Sequence, residues 1–212
     1  TANVTAGRYY AVVRGAGQYG DLGRYSLRGW LPSGGSSIAN ITGPNELVVG
    51  QTGSFVLDVN DSTGQTSNQQ YIFTIDFNSD GIIDQVVQGT SGTVVEHTFE
   101  NVANHQITIT AIASNGSTTD GATTTVETLP YQLQADQDNP SKTNLVVGLS
   151  EGSDIATVFS AGGVTGVAVL ALNGKAYNQS IIYTQGEVTG RVIVYGLGGN
   201  DYLKTELNGG VE

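Results

Sequence analysis

The sequence predicts an all-β protein: an N-terminal β-hairpin, a small β-sandwich and a second β-rich domain. Three observations carry this. Apolar residues alternate with polar ones, as in GSFVLDVN over 53–60 and QITITAI over 106–112, the period of half-buried strands. Glycine supplies 30 of 212 residues, about twice average usage, and clusters with Asn, Asp and Ser between the apolar runs. Nowhere does a Ser, Thr or Asp cap lead into a sustained apolar stripe of period 3.6.

Residues 1–31 hold two strand-like runs, 8–14 and 24–31, around the Gly-rich turn GAGQYGDLG. They read as a β-hairpin, either the remnant of an upstream β domain or a strand-exchange element. A lone hairpin is marginal in water, so it is expected to dock in cis or in trans. A short Pro-Ser-Gly linker follows. Residues 38–128 then offer about seven strands, the count of a sandwich. Residues 129–143, LPYQLQADQDNPSKT, are polar and read as a linker. Residues 144–212 repeat once: VVGLSEGSDI at 146–155 parallels IVYGLGGNDY at 193–202, with Gly152 and Asp154 matching Gly199 and Asp201 at an offset of 201 − 154 = 47. An apolar strand, a Gly-rich turn, an Asp and another apolar residue is how a β-solenoid coil is written.

Composition excludes whole classes of function. Eight Lys and Arg against 19 Asp and Glu leave a formal charge of −11, which cannot neutralise a run of phosphates, so no nucleic-acid partner is expected. No apolar run reaches the ~20 residues of a membrane span, and no membrane insertion is expected. Without cysteine there is no disulfide, thiolate metal site or thiol nucleophile. The chain begins at Thr1 and contains no methionine, so it is expected to be cut from a longer exported protein.

The sharpest local pattern is DFNSDGIID over 76–84. Asp76, Asn78 and Asp80 at alternate positions, glycine at the sixth, a backbone carbonyl from Ile82 at the seventh and Asp84 at the ninth match the start of a calcium loop. The bidentate Glu of position twelve is replaced by Val87. Two readings stay open: a Ca2+ site completed by water or a second loop, or a hairpin turn held by its own Asx hydrogen bonds. His97 and His105 have neither a nucleophile partner nor a second His at ligand spacing, and read as structural strand residues. Tyr9, Tyr10, Tyr19, Tyr25 and Trp30 could stack on sugar rings, or pack as cross-strand pairs.

IDFNSDGIID over 75–84, VEHTF over 95–99 and ITITAI over 107–112 make the central segment resemble polycystic-kidney-disease (PKD) type domains, immunoglobulin-like sandwiches of secreted proteins. A departure is Ala103-Asn-His105, where that family's Gly-x-Tyr would stand. GRYYAVV from Gly7, with Tyr25-Ser-Leu27, resembles the last hairpin of a bacterial pre-peptidase C-terminal domain. GLGGNDYL from Gly196 resembles the lead-in to haemolysin-type calcium repeats. Together these resemblances imply part of a large secreted bacterial multidomain protein, extracellular or at the cell surface. The expected function is a non-catalytic structural or adhesion module, with no enzyme activity. Its expected partners are other domains of the same protein or neighbouring copies, or surface glycans or proteins. A self-assembling surface-layer or filament subunit using strand complementation, and a carbohydrate-binding module, are the alternatives.

Overall fold

A computed structural model describes residues 37–60, 69–114, 116, 118–161, 164–184 and 186–207. The expected hairpin at 1–31 lies outside them. The described chain is all β. Among the described residues no helix is long and apolar enough to cross a membrane.

Eight strands build the first sandwich: β1 (Ile38–Thr42), β2 (Glu46–Val48), β3 (Thr52–Asn60), β4 (Tyr71–Asp76), β5 (Gln85–Gly89), β6 (Thr93–Thr98), β7 (Asn104–Ala113) and β8 (Ala122–Leu129). One sheet has the order β1-β3-β6 and the other β2-β8-β7-β4-β5. Every pair is antiparallel except β2 with β8. Lettered in chain order as A, A′, B, C, C′, E, F and G, the sheets are A-B-E and A′-G-F-C-C′, an immunoglobulin-like arrangement. The alternation seen in the sequence is the alternation of burial. Phe55, Leu57 and Val59 on β3 meet Phe73 and Ile75 on β4 and Ile107 and Ile109 on β7 in one core. Losing a buried phenylalanine from such a core costs about 3–5 kcal/mol.

Around a second core lie β9 (Tyr131–Ala135), β10 (Thr143–Gly148), β11 (Ile155–Ala161), β12 (Val164–Leu172), β13 (Lys175–Tyr183), β14 (Val192–Tyr195) and β15 (Tyr202–Leu207). Its sheets are β14-β10-β9 and β13-β12-β11-β15. They close over Leu145, Val147, Leu149, Ala156, Val158 and Val167. A two-residue turn, Asn173-Gly174, joins β12 to β13 with φ of 52° and 70°. Positive φ at both positions suits the right-handed twist of a hairpin.

The stretch 129–143, expected as a linker, is not one. Strand β9 pairs antiparallel with β10, Tyr131 opposite Val147 and Leu133 opposite Leu145. Tyr131 and Leu133 pack on the second core. The intervening glutamines turn to the first sandwich, Gln132 Nε2 donating to Glu46 Oε2 at 2.9 Å and Gln134 Nε2 to Gln51 Oε1 at 2.9 Å. Gln at every second position disguised a strand whose polar face is covered by a neighbour.

The repeat is expressed as stacking. Strands β10 and β14 are parallel, with Leu145 beside Val192, and β11 and β15 are parallel, with Ile155 beside Tyr202. Both registers equal the sequence offset, 192 − 145 = 202 − 155 = 47.

Candidate functional site

Strand β4 delivers Asp76 and Phe77, both buried, to one end of the first sandwich. The loop after them is held by its own side chains. Asp76 Oδ1 accepts the Asn78 N–H at 3.2 Å and Oδ2 the Gly81 N–H at 2.8 Å. Asn78 Oδ1 accepts the Asp80 N–H at 3.0 Å, Asp80 Oδ1 the Ile82 N–H at 2.7 Å, and Asp84 Oδ2 the Phe77 N–H at 2.7 Å. Gly81 takes φ of 87°, a conformation glycine adopts without a Cβ penalty. Ser79 Oγ ties the loop to β7 through the Gln106 carbonyl at 2.8 Å. All five calcium-loop candidates therefore share one turn, and Ile82 is exposed. Among the described residues no three His, Asp or Glu side chains gather with the geometry of a metal site. The donor set as arranged satisfies backbone amides, which is the geometry of a self-capped turn.

Beside this loop lies a feature that the sequence reading missed. His97 stacks on Phe77 with centroids 3.7 Å apart and an interplanar angle of 8°. Phe99 meets His97 edge-on at 4.6 Å and stacks on His105 at 4.3 Å. The four rings form a ladder along a cleft of ≈ 270 Å³ that Asp84 and Glu100 also line. His97 lies near the end of β6 and Phe99 just beyond it, two residues on in extended chain; that spacing was the available signal. Burial pushes the His97 imidazole below its ordinary range, opposed by the Asp84 carboxylate. His105 Nε2 lies 3.0 Å from Thr128 Oγ1 and 3.2 Å from the Asn101 carbonyl. Both imidazoles also line that cleft. Both imidazoles pack in the ring ladder at the end of the sandwich.

Two carboxylates organise the loops around the second core. Asp136 accepts the Asp138 and Asn139 N–H groups at 2.8 and 3.0 Å and bonds Arg191 Nη2 at 2.9 Å. Its carboxyl falls to about 2, chiefly through the Asn139 amide and the Asn144 side chain. Asp154, buried, accepts the Ser150 N–H at 2.6 Å, the Ser150 hydroxyl at 2.8 Å and the Asn173 N–H at 2.6 Å. Its own N–H donates to Asp201 Oδ1 at 3.1 Å, and its carbonyl accepts the Tyr202 N–H at 2.8 Å. The repeated Asp thus bonds one coil to the next. Tyr9, Tyr10, Tyr19, Tyr25 and Trp30 lie outside the described residues.

No family model matches the chain, and no curated protein matches it. Among solved structures, it is similar to the PKD domain of an M14-like peptidase from a Thermoplasmatales archaeon, with 17% identity over 43% of this chain and 92% of that one at a TM-score of 0.36. It is also similar to the PKD domain of the human VPS10 domain-containing receptor SorCS2, with 16% identity over 61% of this chain and 96% of that one at a TM-score of 0.34. At these values the assignment of an immunoglobulin-like sandwich rests on the strand order itself.

Proposed function

We propose that residues 38–207 form a non-catalytic structural module, a rigid spacer within a secreted or cell-surface protein. The observation that carries this reading is the neck between the two cores. Val48, Val49 and Val146 are buried there, although they belong to neither core. Val49 N–H donates to the Leu129 carbonyl at 3.0 Å and Gly148 N–H to the Pro130 carbonyl at 2.8 Å. Any side chain at Gly148 would overlap the Val49 carbonyl and approach Val48 Cγ1. A neck whose connecting Leu129-Pro130 peptide is held by one backbone bond to each side, and whose faces approach this closely, transmits orientation, whereas a flexible tether would not.

Small-angle scattering of the wild type and of Gly148→Val tests this. A wild-type profile fitted by one fixed arrangement, with a broader distribution of dimensions in the variant, is the expected result. A wild type as broad as the variant rejects the spacer. The extracellular setting and adhesion belong to the same proposal, supported by the acidic composition and the PKD resemblance. Calcium would be a second source of rigidity at the 76–84 loop, and a melt with and without chelator separates it from the turn's own hydrogen bonds.

A further inference from the structure

The two-coil stack has unequal ends. On one side of the first coil, β9 covers β10 and β12 covers β11. Beyond the second coil, no strand among the described residues pairs with the far side of β14 or β15. Side chains in register across parallel strands point to the same face, so Val192 and Val194 repeat the inward positions of Leu145 and Val147, and Leu203 repeats that of Ala156. Leu145, Val147 and Ala156 are fully buried, but Leu203 is 41% exposed. Val192 and Val194 are only half-buried. The second coil therefore carries core residues whose cover is unfinished.

Its backbone is unfinished in the same direction. Arg191 and Tyr195 turn their carbonyls to Leu145 and Leu149, and Tyr202 turns its N–H to Asp154. Peptide groups alternate direction along a strand, so Val192, Val194, Leu203 and Thr205 present theirs to the open side. Solenoids are capped or continued at such ends, because an open edge with apolar core positions is a template for pairing.

We propose that the open edge of β14 and β15 receives a further coil of the same chemistry. The partner is a strand–turn–strand segment with β-branched inward residues and a Gly-rich turn ending in Asp, added parallel and in register. The interface already present between the two coils is the pattern. The incoming Asp would accept the Asp201 N–H, as Asp201 accepts that of Asp154. This deepens the spacer reading by naming what the module's far end joins, and its test does not involve the neck.

The probe is a fluorescein-labelled peptide of residues 191–207, titrated with the whole chain and followed by anisotropy. Saturable binding is expected. N-methylation of the probe at Ile193 and Lys204, the positions that would face the host, should weaken it by at least ~tenfold. Methylation at Val194 and Thr205, facing away, should leave it unchanged. In the host, Thr205→Pro should abolish binding while leaving the β11 ladder intact, since that residue's N–H points outward. Because the Pro variant can also disturb the fold, the methylated probes carry the decision. No binding, or equal loss from both methylation patterns, overturns the proposal. A two-fold dimer of the chain that excludes the peptide, seen by sedimentation velocity, also overturns it.

Discussion

Replacing Asp154 tests the second domain most sharply, because its repeat partner Asp201 is a built-in control. Asp154→Ala removes the acceptor of two backbone donors, the Ser150 and Asn173 N–H groups, each 2.6 Å away. The Ser150 hydroxyl can rotate to another acceptor and the Asn173 N–H keeps Ser150 Oγ at 3.0 Å, but the Ser150 N–H loses its acceptor. A donor left unpaired in a buried setting costs ~1–3 kcal/mol, so losing the partner of the Ser150 N–H costs about 2 kcal/mol. That is a large share of the ~5–15 kcal/mol that holds a domain folded. Asp201, exposed, accepts one bond, from Asp154 N–H at 3.1 Å, and Asp201→Ala should cost about 1 kcal/mol. In a melt followed by circular dichroism, these figures correspond to losses of ~4–8 °C and ~2–4 °C. Asp154→Asn should behave like the alanine variant, because one of its two oxygens becomes an N–H group facing amide donors. Equal losses at 154 and 201, or a silent Asp154→Asn, would refute the account of the coil turn.

Two acid transitions should be separable, and one expectation concerns calcium. His97 has a lowered pKa in the fold, so its contribution is present above the unfolded value of ~6.5 and is lost as pH falls from there through the lower folded value; urea midpoints measured from pH 8 to 5 should decline, and His97→Phe should flatten the slope while keeping the stack. Asp136, at about 2 in the fold, contributes stability above its unfolded value of ~3.9 that disappears as pH falls towards 2. Carboxyl carbon shifts followed by NMR should return a low Asp136 value that rises in Asn144→Ala, and an ordinary value in the wild type would remove the clamp. If the 76–84 loop is complete as a self-capped turn, chelator and millimolar calcium should give melting temperatures within ~1 °C of each other; a rise with calcium would instead establish the metal reading.

Much of the first sandwich was legible in the sequence, because alternation is a local property. Phe55, Leu57 and Val59 declare their inward face from spacing alone. The loop at 76–84 was legible as a turn, since Asn, Asp and Gly at alternate positions bond their own backbone whatever surrounds them. The ladder from Phe77 through His97 and Phe99 to His105 was not. Its rings come from three separate segments of the chain, and a histidine beside a strand carries no mark of what lies against it. Strand β9 was hidden for a related reason: Gln132 and Gln134 are polar by type, and only the first sandwich, with Glu46 and Gln51, makes their face an interior one.

The 47-residue repeat divides the two kinds of information most cleanly. By itself the sequence determined that Asp154 and Asp201 occupy equivalent places, that the flanking runs are strands and that glycines turn between them. Only the tertiary structure decided that the copies lie side by side in parallel. It also decided that one Asp is buried while the other meets solvent. Equivalence of type is written in each segment. Burial depends on what stands on either side, and the first coil is enclosed between β9, β12 and the second coil, while among the described residues the second is paired on one side alone.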